Sequence, residues 1–248
     1  MNSLRYEVNL SNFLNIQASP FVYWIPEIVF DVFKKNGKLD NYLEVKNGMS
    51  TTDNNRFLRF WYEIQTNKIC YDAEDRKSAM LSQKKWFPYN KGGEYRKWYG
   101  NMIYVCNWEK DGKEIRKCAE GASGGRIVSE DYYFNSSLSW SKISSGQFSL
   151  RFYDNGYLFD VAGPSIFGDI NKRLYVLALC NSKLKKLLLE SISPTLNYER
   201  GQVALFPINE YREAFDFCIN TSIENIRITR SDWNSFETSW DFKRHPLI

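Results

Sequence analysis

Hydrophobic and polar residues alternate along residues 138–152, which is the pattern of strands with one apolar and one polar face. The apolar positions are Leu138, Trp140, Phe148, Leu150 and Phe152, and the polar positions are Ser139, Ser141, Ser149 and Arg151. We expect the apolar face to lie on a core and the polar face to meet solvent or a ligand. The sequence Asp154-Asn155-Gly156 follows and predicts a hairpin turn into the next strand.

Apolar residues recur at helical spacing in residues 26–35, 172–192, 210–217 and 223–240. Pro26 suits the first turn of the first helix, and Asn181-Ser182 divides the second region into two helices. Short aromatic and β-branched runs predict further strands at residues 57–64, 102–108 and 202–206. Together these elements predict an α/β fold of the α+β type, with a mostly antiparallel or mixed twisted sheet flanked by helices and a short helical C-terminal segment.

The composition bounds the kind of protein. The 248 residues include 17 Phe, 16 Tyr and 8 Trp, and a net charge of +4 means that any nucleic-acid-binding surface must be a local patch. Five cysteines without a Cys-x-x-Cys pair and a single histidine disfavour a zinc site and favour buried free thiols of a reducing cytosol. Neither a secretory signal pattern nor an apolar run of about 18 residues occurs, so we expect a cytoplasmic protein without membrane contact.

The usual catalytic constellations are missing from the sequence. The single histidine, His245, stands beside Pro246 near the C-terminus, and no Gly-x-Ser-x-Gly sequence occurs. No spacing of aspartates and histidines matches a metal triad. Binding is therefore favoured over catalysis.

Residues 84–101, KKWFPYNKGGEYRKWYGN, place cations among aromatic rings around a predicted turn at Asn90-Lys91-Gly92-Gly93. Cations can neutralise phosphates, and arginine can form two hydrogen bonds with guanine in the major groove. Nucleic acid is the commonest polyanion that offers both charge and planar faces. The alternative is a hairpin whose rings are core and whose lysines are a solvated face, and composition leaves both interpretations open.

A second candidate is the polar loop of residues 47–56, NGMSTTDNNR, with Arg56 and Arg59 beside it. Its hydroxyl and amide side chains can bond to their own backbone or cap the following turn. Alternatively, the loop can hold phosphates, an interpretation that ranks second on the sequence alone.

Six ordered motifs resemble a known family across most of the chain. They are GMSTTDNNRFLRFWYEI (48–64), KKWFPYNKGGEYRKWYGN (84–101), WSKISSGQFSLRFYDNGYLFD (140–160), LYVLALCNSK (174–183), SPTLNYERGQVALFPI (193–208) and DWNSFETSWDFKRHPLI (232–248). They are similar to the C-terminal half of PglX-type adenine-specific DNA methyltransferases. These enzymes belong to BREX phage-defence systems and are relatives of the single-chain type IIG restriction-modification enzymes.

The resemblance implies a longer protein in which different domains carry catalysis and DNA recognition. In the family, a preceding methyltransferase domain carries the S-adenosylmethionine site and an Asn-Pro-Pro-Tyr motif, whereas no two prolines are adjacent here. We therefore expect a fragment that holds no cofactor and is not an enzyme by itself, with S-adenosylmethionine bound by the full-length protein. The implied parts are a lead-in segment with a helix (1–38), a DNA target recognition domain (39–208) and the start of a helical region (209–248).

The resemblance favours double-stranded DNA as the partner of this region. The expected DNA contacts are Arg96, Lys97, Tyr99, Lys91, Arg56, Ser141, Ser144, Ser145 and Arg151. Further expected partners are the methyltransferase domain of the same polypeptide and other phage-defence proteins. The alternative functions are a protein-interaction module that docks such proteins and, ranked last, carbohydrate binding by exposed Trp and Tyr.

Overall fold

The computed structural model describes residues 7, 9–14, 16, 21–144, 147–193 and 195–248, without the side chains of residues 185, 186 and 190. The helices of this part are α1 (Leu10–Phe13), α2 (Glu27–Lys35), α3 (Leu39–Tyr42), α4 (Asn54–Phe57), α5 (Arg76–Leu81), α6 (Glu109–Gly121), α7 (Ile170–Asn181), α8 (Leu184–Ile192), α9 (Arg200–Val203) and α10 (Arg212–Trp233). The strands are β1 (Gly37–Lys38), β2 (Glu44–Lys46), β3 (Leu58–Phe60), β4 (Trp86–Asn90), β5 (Tyr104–Asn107), β6 (Ser137–Ser139), β7 (Arg151–Tyr153), β8 (Leu158–Phe159), β9 (Ser165–Phe167) and β10 (Pro207–Ile208).

These strands form two four-stranded sheets and one short pair. Sheet 1 has the order β2-β9-β6-β7 and is antiparallel throughout. Sheet 2 has the order β3-β5-β4-β8 and is antiparallel except for the parallel pair β4 and β8. The short pair joins β1 to β10. The predicted α/β class, with mostly antiparallel and mixed sheets beside helices, is confirmed.

Each sheet has its own hydrophobic core. Core 1 packs sheet 1 against α2, α7 and α10 and contains Phe30, Leu138 and Trp233. Core 2 packs sheet 2 against α6 and contains Phe87 and Ile115. Burial of these apolar side chains is the main favourable term in folding. Within the described residues, no helix is both long enough and apolar enough to cross a membrane.

The two sheets meet at a buried polar cluster, here called the sheet junction and made of Tyr89, Asn90, Ser139 and Asp160. Asn90, at the end of β4, donates to Ser139 Oγ in β6 (2.7 Å) and to the Gly163 carbonyl (3.1 Å). The Tyr89 hydroxyl donates to the Asp160 carboxylate (2.6 Å). All four side chains are buried. Because buried polar groups are costly unless hydrogen-bonded, the bond from Asn90 to Ser139 fixes how sheet 1 and sheet 2 lie together.

Several predicted elements are confirmed. The helix at residues 26–35 is α2, with Pro26 at its N-cap, and the two helices divided at Asn181-Ser182 are α7 and α8. The strands at 57–64 and 102–108 contain β3 and β5. Both helical predictions beyond residue 209 fall largely within α10, which is continuous.

The prediction of a strand at residues 202–206 was wrong. Residues 200–203 form α9 because Gln202 accepts a hydrogen bond from the Glu199 N–H (3.1 Å) in a capping box that starts a helical turn. The hairpin predicted at Asp154-Asn155-Gly156 was also wrong, since β7 belongs to sheet 1 and β8 to sheet 2. That turn carries the chain from one sheet to the other, and its Gly156 N–H donates to the Phe134 carbonyl (2.8 Å).

All five cysteines lie within the described residues as free thiols, and the burial predicted for them holds for three. Cys70, Cys106 and Cys180 are buried, whereas Cys118 and Cys218 are partly exposed. Burial raises the pKa of the Cys106 thiol well above its ordinary value, so this cysteine stays protonated in the core.

The sheet junction predicts a large effect of one substitution. Asn90→Ala removes two donated hydrogen bonds and the bond that Asn90 Oδ1 accepts from the Gly92 N–H. We expect a loss of about 3 kcal/mol in the free energy of unfolding, at about 1 kcal/mol for each bond. Urea denaturation would measure it. Asn220→Ala, at an exposed position of α10, is the matched control and should change stability by less than about 0.5 kcal/mol.

Candidate nucleic-acid interface

Residues 84–101 divide into a buried strand and a loop. All side chains of β4 are buried in sheet 2, between β5 and β8. Gly92 and Gly93 then turn the chain with φ of 76° and 118°, which glycine adopts without strain. The loop that follows pairs with β7 in sheet 1, because Trp98 accepts from the Phe152 N–H (2.7 Å). The stretch is thus a link between the sheets and not the hairpin of the alternative interpretation.

Arg151 lies beneath this loop and is fully buried in β7. Its guanidinium donates to Ser141 Oγ (3.1 Å) and to the Arg96 carbonyl (3.4 Å). Ser141 in turn donates to the Gly93 carbonyl (2.7 Å). The structure therefore brings these predicted contact residues together, but as an internal support of the loop. The polar face of the alternating strands meets protein and not solvent, which corrects that expectation.

Lys97, Arg96 and Tyr99 also have partners inside the protein. Lys97 Nζ donates to the Asn181 carbonyl (2.8 Å), where a cation complements the C-terminal end of α7. The Arg96 guanidinium lies 4.9 Å from the centre of the Trp233 ring, and the Arg230 guanidinium lies 4.5 Å from that of Tyr99. The two cation–ring contacts hold α10 against the loop.

The remaining predicted contacts lie in separate places. Ser144 is buried and its N–H donates to the Leu196 carbonyl (3.2 Å), while Ser145 lies outside the described residues. Lys91 points towards the sheet junction. Arg56 is on α4 and exposed, and it forms an ion pair with Glu114 (3.2 Å).

Three clefts border residues 47–59, here called the segment. Cleft A, about 560 Å³, is lined by Asn47, Gly48 and Ser50 of the segment and by Lys46, Arg126 and Arg200. Cleft B, about 620 Å³, is lined by Arg56 of the segment and by Glu109, Lys110, Lys113, Glu114, Lys117 and Cys118. Cleft C, about 410 Å³, is lined by Asn54, Asn55, Leu58 and Arg59 of the segment and by Phe60, Glu63, Lys91 and Tyr104. Together the clefts present nine cations and three carboxylates.

The segment is held in a defined conformation. A Cβ at Gly48 would lie 2.0 Å from the Phe159 carbonyl oxygen, so only glycine allows this approach to β8. Ser50 N–H donates to the Arg126 carbonyl (2.8 Å). The Asp53 carboxylate accepts from the Arg56 N–H (3.0 Å) and caps α4. Residues 52–56 are exposed between buried neighbours and form a projecting turn.

Helix α6 begins with an unusual left-handed turn. Lys110, Asp111 and Gly112 have φ of 54°, 58° and 70°. A Cβ at Gly112 would lie 2.5 Å from the Trp108 ring, so this position needs glycine. Left-handed backbone is unfavourable for residues other than glycine, and the surrounding structure must compensate for it.

Ion pairs compensate for this strain. Arg76 and Arg116 both bind the Asp111 carboxylate, Arg116 at 3.2 Å, and both also bind Glu130, at 2.9 Å and 2.6 Å. The hydrogen bond from Arg116 lowers the pKa of Glu130 below its ordinary value, so this carboxylate stays charged at neutral pH. The network fixes the direction of α6 and hence the positions of its lysines.

The sequence interpretation missed the cations of α6 and Arg126. Lys110, Lys113 and Lys117 are exposed, and their side chains form no hydrogen bond or ion pair within the described residues. Their spacing of three and four residues, opposite the buried Ile115 and Ala119, is a helical signal. The Asp111-Gly112 pair favours a turn, so no helix was predicted at this position.

Two proteins are similar to nearly the whole chain. Adenine-specific methyltransferase PglX of Lacticaseibacillus casei (strain Zhang) is 37% identical over an alignment of 249 residues that covers 98% of this chain and 20% of that protein. Adenine-specific methyltransferase BrxX of Escherichia coli O9:H4 (strain HS) is 35% identical over an alignment of 242 residues that covers 96% of this chain and 19% of that protein. The chain belongs to the PglX and BrxX family.

The chain spans about a fifth of the length of these PglX and BrxX relatives. No protein-family model matches it. The three clefts and the loop after β4 therefore lie in the part of the chain that matches PglX and BrxX. None of these comparisons assigns a role to an individual residue.

The burial of Tyr99 predicts a dependence of stability on pH. Burial raises the pKa of Tyr99 to about 12, although Arg230 opposes this, whereas an unfolded tyrosine has a pKa of about 10. The folded state therefore keeps the proton that the unfolded state loses, and stability falls as the pH rises from about 10 to about 12. Tyr99→Phe should reduce this fall by about 1.4 kcal/mol per pH unit.

Urea denaturation of the parent chain and Tyr99→Phe at about pH 9.5 and about pH 11.5 would measure the difference. Equal losses of stability in the two proteins would show that Tyr99 does not titrate with this shift.

Proposed function

We propose that this chain is a DNA target recognition region of an adenine-specific DNA methyltransferase in phage defence. The observation that carries the proposal is the group of cation-lined clefts A, B and C around the segment 47–59. The membership in the PglX and BrxX family supports it, since those relatives are named adenine-specific methyltransferases. Duplex DNA, with a phosphate about every 1.7 Å along its axis, suits several adjacent cationic clefts.

The cations of cleft B are the best suited to phosphate. Lys110, Lys113 and Lys117 point into solvent and have no ion-pair partner within the described residues. The Arg56–Glu114 pair beside them is more than half exposed on both sides, so it contributes little to stability and can exchange for a phosphate. Lysine binds phosphate as a point charge, and such contacts position DNA without reading its sequence.

Cleft A contributes one further free cation. Arg126 is exposed and forms no side-chain hydrogen bond or ion pair in the described part of the chain. Lys46 and Arg200 have carboxylate neighbours, at 3.2 Å from Glu44 and 3.2 Å from Asp40. Cleft A therefore has a positive net charge that is smaller than its three cations alone would give.

Among the predicted contacts within the described residues, Arg56 alone is exposed. We therefore propose Arg56 as a direct DNA contact. Arg96, Lys97, Tyr99, Ser141, Ser144 and Arg151 remain predicted contacts, and we propose that most of them act by supporting the loop after β4. Direct contact by Arg96 would require it to leave the Trp233 ring.

The full-length protein would methylate adenine with S-adenosylmethionine bound by a methyltransferase domain outside this chain. Double-stranded DNA and that domain are the proposed partners in the cytoplasm, together with other phage-defence proteins. Protein interaction is the second candidate, favoured by the exposed Phe217 and Ile228, which lie three turns apart on α10. A complex that forms without DNA and survives high salt would favour it.

Reversing two charges of cleft B tests the DNA surface. We expect the chain to bind duplex DNA and Lys113→Glu with Lys117→Glu to weaken this binding. If both lysines contact phosphate, the slope of log affinity against log salt should become less steep by about two. Fluorescence anisotropy with a labelled duplex at several salt concentrations would measure affinity and slope.

Lys34→Glu with Lys35→Glu, at exposed positions of α2, is the matched control because it makes the same change in charge away from the clefts. The control variant should keep nearly the parental affinity and slope, whereas the cleft B variant should lower both. If both lower the affinity and slope equally, net charge explains the effect and cleft B is not the DNA surface.

An exchange of this whole region between relatives tests target recognition. The region that corresponds to this chain would be exchanged between two full-length PglX or BrxX relatives that methylate different sequences. We expect the methylated sequence to follow the exchanged region, as read by sequencing of methyladenine in genomic DNA. A target that stays with the remaining four fifths of the protein would sink the recognition proposal, and exchange between relatives with the same target is the control.

A further inference from the structure

Lys91 connects the projecting turn of the segment to the sheet junction. Its Nζ lies 3.4 Å from the Asp160 carboxylate and donates to Asn54 Oδ1 at 3.0 Å. Only 26% of the Lys91 side chain is exposed, against 5% for Asp160. The ammonium therefore lies between a buried carboxylate and an exposed turn.

Asp160 cannot easily release this cation. It accepts from the Tyr89 hydroxyl (2.6 Å) and the Ala162 N–H (2.7 Å), which hold the carboxylate in a single orientation. A buried carboxylate without a nearby cation is unfavourable, because the protein interior solvates charge poorly. Lys91 is the cation within salt-bridge distance of Asp160 in the described residues.

Asn54 is the residue of the turn that binds Lys91. Its Oδ1 accepts from Lys91 and also from Thr51 Oγ1 (2.5 Å). Thr52, the next residue after Thr51, has φ of 62°, a conformation that a threonine rarely adopts. The bonds to Asn54 therefore hold a turn whose backbone alone would not favour this shape.

We propose that Lys91 is a positioning residue that fixes the turn 52–56 to the sheet junction, and that it does not bind DNA phosphate. The turn carries Arg56 into cleft B and Asn55 into cleft C. A fixed turn keeps the two clefts in one arrangement before DNA arrives, which reduces the entropy lost on binding. The part of the proposal that concerns DNA rests on the proposed function.

Hydrogen–deuterium exchange of the free chain tests the positioning role. In Lys91→Met, we expect the amides of residues 51–57 to exchange roughly tenfold faster, since a charge-assisted hydrogen bond is lost, while amides of α7 and α10 keep their rates. Asn54→Ala removes the same link from the solvent side without leaving a buried charge and should give the same result. Lys91→Arg should restore slow exchange in part.

Asn55→Ala is the matched control, because its exposed side chain forms no hydrogen bond within the described residues. It should leave exchange in residues 51–57 unchanged. Unchanged exchange in both Lys91→Met and Asn54→Ala would overturn the proposal. Faster exchange across the whole chain in Lys91→Met, with parental rates in Asn54→Ala, would overturn it as well.

Salt-dependent binding to a labelled duplex separates positioning from contact. We expect Lys91→Met to weaken binding about threefold to tenfold with an unchanged slope of log affinity against log salt, since no phosphate contact is lost. A slope less steep by about one would assign Lys91 a phosphate contact and overturn the proposal. If the parent chain binds no DNA, the proposed function fails, and the exchange result alone decides the positioning role.

Discussion

The buried side chain of Asn90 constrains how the two sheets of this protein can lie together. It links β4 of sheet 2 to Ser139 of sheet 1 at 2.7 Å, and beside it the Tyr89 hydroxyl donates to the Asp160 carboxylate, which follows β8, at 2.6 Å. Burial raises the pKa of Tyr89 well above its ordinary value, so its hydroxyl remains a donor. Moving one sheet against the other would leave these polar groups unpaired in the interior. Core 1 and core 2 therefore form beside a fixed junction.

Within the described residues the chain passes between the two sheets several times, and three of these passages carry a functional or structural feature. The segment 47–59 runs from β2 in sheet 1 to β3 in sheet 2, which places its projecting turn above the junction. Residues 91–101 return from β4 to pair with β7, and residues 154–156 cross again to β8. Because crossings carry few ladder hydrogen bonds, their polar groups are held by side chains such as Lys91 and Arg151. The proposed DNA surface thus lies where the sheet architecture requires irregular backbone.

The elements that depend on local spacing could be predicted from the sequence, as α2, α7, α8 and β5 show. What could not be predicted depends on residues distant in the chain. Arg151 follows an alternating pattern that normally exposes it, and only the loop after β4, over fifty residues earlier, covers it. Helix α6 starts with left-handed residues that are stabilised by Arg76, from another helix. The free lysines were overlooked for this reason, although their own spacing is helical.

Arginine and lysine have different positions in this protein, and their chemistry explains the difference. The guanidinium groups of Arg96 and Arg230 are weakly hydrated and lie on the rings of Trp233 and Tyr99. The strongly hydrated ammonium groups of α6 stay in solvent, where they suit phosphate and lack the rigid planar fork with which arginine pairs its hydrogen bonds. Cleft B, with three lysines and one arginine, therefore supplies affinity more than specificity. Under the proposed function, the target sequence is therefore read by polar groups that border the clefts, and the composition of residues 84–101 reflects packing as much as recognition.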